Sequence, residues 1–183
     1  MGKIKAVFVG TGMIGAGLAA NAMLNGYETV LYDVVPQEKM EGNIRHIMDI
    51  LVEAGAATRQ QADEALAACW YSNDLEQAVQ GAQFVQECIP ERLELKKSTY
   101  ATIQKVTGPD AIICSSTSKL FPTKLQEGAL YPQSILVGHP YNPSYLLPLI
   151  ELCGGEQTAP EAIEKAKEIY TGMGKVAVVC KKE

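Results

Sequence analysis

The chain has 183 residues, 47% of them apolar and 20% charged, the balance of an ordinary soluble globular protein with one domain and a real core. Its formal net charge of −5 excludes an overall field that recruits nucleic acid or anionic membrane, and the apolar run before the first glycines is too short to span a bilayer. Five cysteines, at 69, 88, 114, 153 and 180, form no CxxC pair and no metal knuckle. With no secretory signal, they fit a reducing cytoplasm.

Residues 4–9 (IKAVFV) predict a short apolar strand. Gly10, Gly12 and Gly15 follow in a G-x-G-x-x-G pattern, with Thr11, Met13 and Ile14 between them, and an Ala- and Leu-rich helix runs from there to Gly26. Residues 27–32 (YETVLY) return to strand character and close on Asp33. Strand, helix and strand within about thirty residues make one βαβ unit. Pro36 to Gly55 reads as a long helix, with Met40, Ile44, Ile47, Met48 and Leu51 at helical spacing. Thr58 caps a second helix through Ala68, with Gln61 completing a capping box, so a helical hairpin is expected after the second strand.

Residues 69–72 predict a short strand and Leu75 to Val79 a short helix. Phe84 to Cys88 is the next strand, Glu91 to Val106 a helix, Ala111 to Cys114 a strand, Leu120 to Gln126 a short helix and Ser134 to Val137 a strand. Leu149 to Cys153 looks extended and near a sheet edge. Pro160 opens a helix to about Met173, with Gly174 as its stop, and Lys175 to Cys180 is a final strand. This alternation predicts an α/β, Rossmann-like, mostly parallel sheet with helices on both faces. Cys88 and Cys114 fall in apolar runs and read as small buried hydrophobes.

The glycine pattern points to a dinucleotide. Gly10 permits the tight turn, Gly12 leaves room for a pyrophosphate, and Gly15 lets the helix pack closely. The helix N-terminus, from Met13 and Ile14 on, offers free N–H groups to the phosphates. Glycines number 16 of 183 residues, so the pattern carries weight through its context. It follows a strand, opens a helix, and is followed 18 residues after Gly15 by Asp33. Asp33 is placed to accept the ribose hydroxyls and to repel a 2′-phosphate, and no arginine follows it, which favours NAD over NADP. A ligand-free turn and a flavin nucleotide share the same pattern.

His139 lies in Gly138-His139-Pro140-Tyr141-Asn142-Pro143 and is read as directly following a strand, where ligand and catalytic groups gather in open α/β sheets. A neutral imidazole can take a proton from an alcohol as hydride leaves its carbon, and Glu151 can orient the ring. A structural loop histidine is the alternative. His46 reads as filler on the polar face of the long helix. Ser115 to Ser118 follows another strand; its hydroxyls can hold a substrate oxygen or simply cap a turn.

Together these segments, with Gln86 to Lys96 (QECIPERLELK) and Gly138 to Glu151, resemble the N-terminal domain of the 3-hydroxyacyl-CoA dehydrogenase superfamily over essentially all 183 residues. The resemblance implies that His139 takes the hydroxyl proton and pairs with Glu151, that Ser118 contacts substrate and cofactor, and that Asn142, Glu91 and Lys96 lie beside the NAD. By periodicity alone Glu91 and Lys96 are surface residues of a helix. CoA-thioester members carry H-F-F-N-P; His139-Pro140-Tyr141-Asn142 with Leu147-Pro148-Leu149 resembles instead the branch acting on free hydroxy acids, first L-carnitine dehydrogenase and next the lambda-crystallin/L-gulonate 3-dehydrogenase group. The expected reaction is NAD-dependent oxidation of a 3-hydroxy acid, with L-carnitine, an L-3-hydroxyacyl-CoA and L-gulonate as candidates. A non-catalytic NAD-binding or crystallin-like protein is the alternative from another class. For a carnitine-like substrate, Tyr141 and Tyr145 are candidates to surround the trimethylammonium. The resemblance further implies that residues 1–183 are the dinucleotide-binding domain only, that a helical second domain completes the cleft and the homodimer, and that the 183-residue fragment alone has little or no activity.

Overall fold

The computed structural model describes residues 3–183. Eight strands form one sheet in the order β3-β2-β1-β4-β5-β6-β7-β8. Strand β1 (Lys5–Val9) lies at its centre, parallel to β2 (Glu28–Tyr32) on one side and to β4 (Phe84–Glu87) on the other. Ala6, Val7, Phe8 and Val9 have no exposed surface. A strand covered on both faces needs a continuous apolar run rather than alternation, and each fully buried large side chain in it contributes roughly 1.5–3 kcal/mol.

One face of the sheet carries α1 (Met13–Leu24), α2 (Gln37–Glu53), α3 (Arg59–Ala67) and α7 (Pro160–Gly172). The other carries α4 (Leu75–Val79), α5 (Leu93–Thr107) and α6 (Pro122–Gln126). Helix α1 is Ala- and Gly-rich because it is buried nearly all round. The expected hairpin is α2 followed by α3, and the Thr58–Gln61 capping box is formed. His46 is exposed on α2. Strands β3 (Trp70–Ser72) and β5 (Ile112–Ser115) extend the parallel array on either side.

Beyond β5 the sheet departs from a simple parallel series. Strand β6 (Ile135–Pro140) is parallel to β5, but β7 (Leu149–Gly154) returns antiparallel to it, and the edge strand β8 (Val176–Val179) is parallel to β7. Two expectations are corrected here. His139 lies inside β6, not after it, because the antiparallel pairing with β7 carries the ladder on through Pro140. Glu91 lies in the turn before α5, whose first helical residue is Leu93. Among the described residues no helix is long and apolar enough to cross a membrane.

Candidate functional site

The site lies at the carboxyl ends of the strands, where chains running left and right from β1 part and leave a crevice. Gly10 leaves β1 with φ +96°, and a Cβ there would lie 2.7 Å from the Cys88 carbonyl oxygen. A Cβ on Gly15 would lie 1.9 Å from the Gly10 carbonyl oxygen, so the helix can approach the turn only as glycine. Gly12 is the opposite case: among the described residues, no atom beyond its own chain neighbours lies within 4 Å of a Cβ placed there. That open space, over a helix start with no side-chain cap and no acidic residue in its first turn, fits an anionic group held by backbone N–H donors. Ile14 lines the crevice, and Met13 is exposed beside it.

The crevice encloses 760 Å³, within the range of about 300–1,000 Å³ found for cofactor sites. Asp33 lines it at the end of β2. Its Oδ2 accepts from the Thr11 amide at 2.7 Å and the Thr11 hydroxyl at 2.8 Å, and its Oδ1 from the Val34 amide at 2.7 Å. The carboxylate is therefore oriented by the glycine turn and keeps acceptor capacity for a ribose. No lysine or arginine lines the crevice, while Asp33 and Glu91 do. The Tyr32 phenol is pushed up by burial first and then by the charges of Asp33 and Asp74. The local field thus opposes an extra phosphate at the ribose.

The far wall rests on a buried carboxylate that sequence pattern did not single out. Glu87, at the end of β4, has no exposed surface. It accepts from Lys96 Nζ at 2.6 Å, from the Tyr100 hydroxyl at 2.5 Å, from the Ser115 hydroxyl at 2.7 Å and from the Ile89 amide at 2.8 Å. Lys96 also donates to the Ile89 carbonyl at 3.1 Å. Lys96 is therefore neither a surface residue nor part of the crevice lining; it stands behind the Cys88–Glu91 segment and sets its shape. Burial and the Glu87 charge push the Tyr100 phenol well up. Cys88 is half-buried in the crevice wall, where burial pushes its thiol up to about 12, and Cys114 lies in the core. Glu91 is exposed and accepts the Thr117 hydroxyl at 2.7 Å.

A second cleft of 270 Å³ opens beside the first. His139 and Glu151 face each other directly across β6 and β7, so a separation of twelve residues becomes a cross-strand pair. His139 Nδ1 lies 3.2 Å from Glu151 Oε2. Tyr141 donates its hydroxyl to Glu151 Oε1 at 3.0 Å. Ser118 is exposed and lines both clefts; among the described residues no other lines both.

Asn142 is exposed in the loop after β6 and lines neither cleft. That loop is pinned to α1. The Ser144 hydroxyl donates to the Ile14 carbonyl at 3.2 Å, and Asn21 donates to the Tyr145 carbonyl at 3.2 Å. Lys175, buried just before β8, donates to the carbonyls of Ser144 and Leu147. The Tyr145 ring packs against the α1 surface at Gly17, away from the His139 cleft.

Residues 5–183 match the NAD binding domain of 3-hydroxyacyl-CoA dehydrogenase. The chain belongs to that family. It is 42% identical over 181 residues to the L-carnitine dehydrogenase/betainyl-CoA thioesterase of Ruegeria pomeroyi, covering 97% of this chain and 36% of that protein. It is 40% identical over 177 residues to the L-carnitine dehydrogenase of Pseudomonas putida, covering 96% of this chain and 54% of that protein. The structure superposes on 3-hydroxybutyryl-CoA dehydrogenase from Escherichia coli K12 with a TM-score of 0.90 and 27% identity, over 98% of this chain and 38% of that one. The chain thus spans about half or less of the length of these relatives.

Within this 3-hydroxyacyl-CoA dehydrogenase NAD-binding domain, the residues singled out by pattern or by resemblance fall into three groups. Gly10, Gly12, Ile14, Gly15, Asp33, Glu91 and Ser118 gather around one crevice or its turn. His139, Glu151 and Ser118 gather in the neighbouring cleft. Lys96 and Asn142 line neither. Glu87 carries no signal in the sequence, and Tyr141 is a candidate there only for the trimethylammonium: a lone glutamate ending an apolar strand and a tyrosine after a proline have no periodic signature, and only the fold supplies their partners.

Proposed function

We propose that this chain is the cofactor-binding and proton-accepting part of an NAD-dependent 3-hydroxy acid dehydrogenase, with oxidation of L-carnitine to 3-dehydrocarnitine as its reaction. The observation that carries the reading is Ser118, the shared wall between the glycine-turn crevice and the His139–Glu151 cleft. A hydroxyl there can hold a substrate oxygen within reach of both. NAD, when bound, supplies the hydride acceptor. The chain's own part is to orient and to take the proton. Nδ1 of His139 faces Glu151, which leaves Nε2 for the substrate hydroxyl, and the Glu151 charge stabilises the imidazolium that forms. Of the two tyrosines considered for the trimethylammonium, only Tyr141 stands at the dyad.

The two carnitine dehydrogenases, at 42% and 40% identity against 27% for the 3-hydroxybutyryl-CoA dehydrogenase, favour carnitine over a CoA thioester. Their greater length supports a further domain in the intact protein; in this reading that domain is helical, completes the cleft and forms a homodimer, and the 183-residue chain alone is a weak catalyst or none. Five free thiols support a reducing, cytoplasmic setting. Calorimetric titration should show NADH binding at least about tenfold tighter than NADPH, since a 2′-phosphate meets Asp33 without a cation. In the intact protein, His139→Ala should spare NADH affinity and abolish turnover in a hydroxy-acid screen. Equal loss of both would sink the assignment. A wild-type protein that binds NADH yet oxidises none of the acids would point to a non-catalytic role.

A further inference from the structure

Glu151 is a carboxylate with two partners. Oε2 lies 3.2 Å from His139 Nδ1, and Oε1 accepts the Tyr141 hydroxyl at 3.0 Å. The Tyr141 ring stands edge-on to the His139 ring, with centroids 5.5 Å apart and planes at 66°. The three side chains therefore close a ring of contacts. Among the described residues nothing else hydrogen-bonds the Glu151 side chain.

Exposure decides what the second bond does. The side chains of His139 and Glu151 are 27% and 38% exposed, and an ion pair at such a surface holds its geometry weakly by itself. With one bond, the carboxylate can rotate toward water at little loss. With both oxygens engaged, its plane is fixed and Oε2 stays aimed at Nδ1. A histidine whose Nδ1–H is held by a carboxylate keeps its lone pair on Nε2. The phenol is a donor in this arrangement: the Glu151 hydrogen bond first, and its charge next, push the Tyr141 phenol up, so it keeps its proton at neutral pH.

We infer that Tyr141 is a positioning residue of the His139–Glu151 pair, its hydroxyl holding the outer oxygen of Glu151 so that His139 stays in the Nδ1-protonated tautomer with Nε2 open to the substrate hydroxyl. The catalytic meaning rests on the dehydrogenase reading above; the tautomer does not, and the test separates them.

The chain has only two histidines, and His46 is exposed on α2. An imidazole ¹⁵N spectrum of the whole chain, at a pH where both rings are neutral, therefore holds one probe and one internal reference. In the wild type, His139 should show the Nδ1–H form and His46 the solvent mixture. Tyr141→Phe should move the His139 nitrogens toward those of His46. Tyr141 is 41% exposed in a loop, so this change leaves the core untouched. In a Glu151→Gln background, adding Tyr141→Phe should change the His139 signals no further, because the tyrosine acts through the carboxylate. In the intact enzyme, Tyr141→Phe should lower kcat by about three- to tenfold and leave NADH affinity unchanged. His139 signals that stay put in Tyr141→Phe, or that move equally with and without Glu151, overturn the inference. Nitrogen shifts as expected, combined with an intact wild-type protein that oxidises none of the hydroxy acids, leave the tyrosine's role standing and remove the dehydrogenase reading.

Discussion

The two clefts joined at Ser118 are built by different means. The nucleotide crevice is made of backbone: a turn at Gly10, a helix start at Gly12 to Gly15, and a carboxylate whose oxygens are anchored by Thr11 and Val34. Behind it stands Glu87, with no exposed surface and four donors. The histidine cleft is made of half-exposed side chains on two antiparallel strands, with one carboxylate shared by two donors. The first region has its carboxylates oriented by internal hydrogen bonds, which suits a cofactor bound by its phosphates and ribose. The second is open to water at its side chains, and a substrate, or further protein, changes what surrounds them. Stability should therefore be sensitive to changes in the first region and chemistry to changes in the second.

The largest effect expected is at Lys96. Lys96→Met leaves Glu87 charged, buried and short of its cation, a loss of about 3–5 kcal/mol for removing one partner of a buried pair. Urea unfolding should show it. A loss below about 1 kcal/mol would mean that the network is not the frame of the crevice. Gly15→Ala comes next, at about 1–3 kcal/mol, because a Cβ 1.9 Å from the Gly10 oxygen must displace the turn or the helix. NADH binding should fall well over tenfold in the same variant, since the displaced atoms are the ones the phosphates need. A variant that loses stability and keeps NADH affinity would detach the turn from the cofactor.

How much of this was legible from the residues follows the same division. The glycine turn and Asp33 lie within 24 residues of one another, and each is determined by local sterics, so spacing alone exposed them. The α2–α3 hairpin was equally local, with its heptad-like apolar residues and a capping box at Thr58. Lys96 was misread by periodicity, because its burial depends on Glu87 nine residues earlier on a different element. His139 and Glu151 were paired only through family resemblance, since cross-strand register is a long-range property. Their shared partner Tyr141 needed that register to be known. Tyr145 is by residue type one of two candidates for a trimethylammonium, and its loop is pinned on α1, with the ring outside the lining of the His139 cleft.

Asp33→Asn sharpens the comparison on the crevice side at a smaller scale. One asparagine oxygen can still accept from Thr11, but the amide nitrogen then meets the Val34 N–H, donor against donor. NADH affinity should fall by about tenfold, near 1.4 kcal/mol, while discrimination against NADPH narrows. Calorimetry with both nucleotides reads the two effects together. Unchanged discrimination would show that Asp33 holds the turn without choosing the ribose.

A pH-dependent effect tests how the loop after β6 is held. Lys175 is 5% exposed and donates to the carbonyls of Ser144 and Leu147, in the loop that Ser144 fastens to α1. Burial pushes its ammonium down to about 8, against about 10.4 for the same group in the unfolded chain. Between those values the unfolded chain binds more protons than the folded one, so the fold gains stability as pH rises through that window. The penalty for keeping Lys175 charged is fully present below about pH 8 and relieved by about pH 10.4. The stability of the wild type relative to Lys175→Met should therefore grow by about 1–2 kcal/mol between roughly pH 7.5 and 10. Tyrosines that titrate nearby are common to both proteins and cancel in the difference. A difference that is flat, or that shrinks with pH, would mean that solvent reaches the ammonium and that Lys175 does not hold the loop after β6.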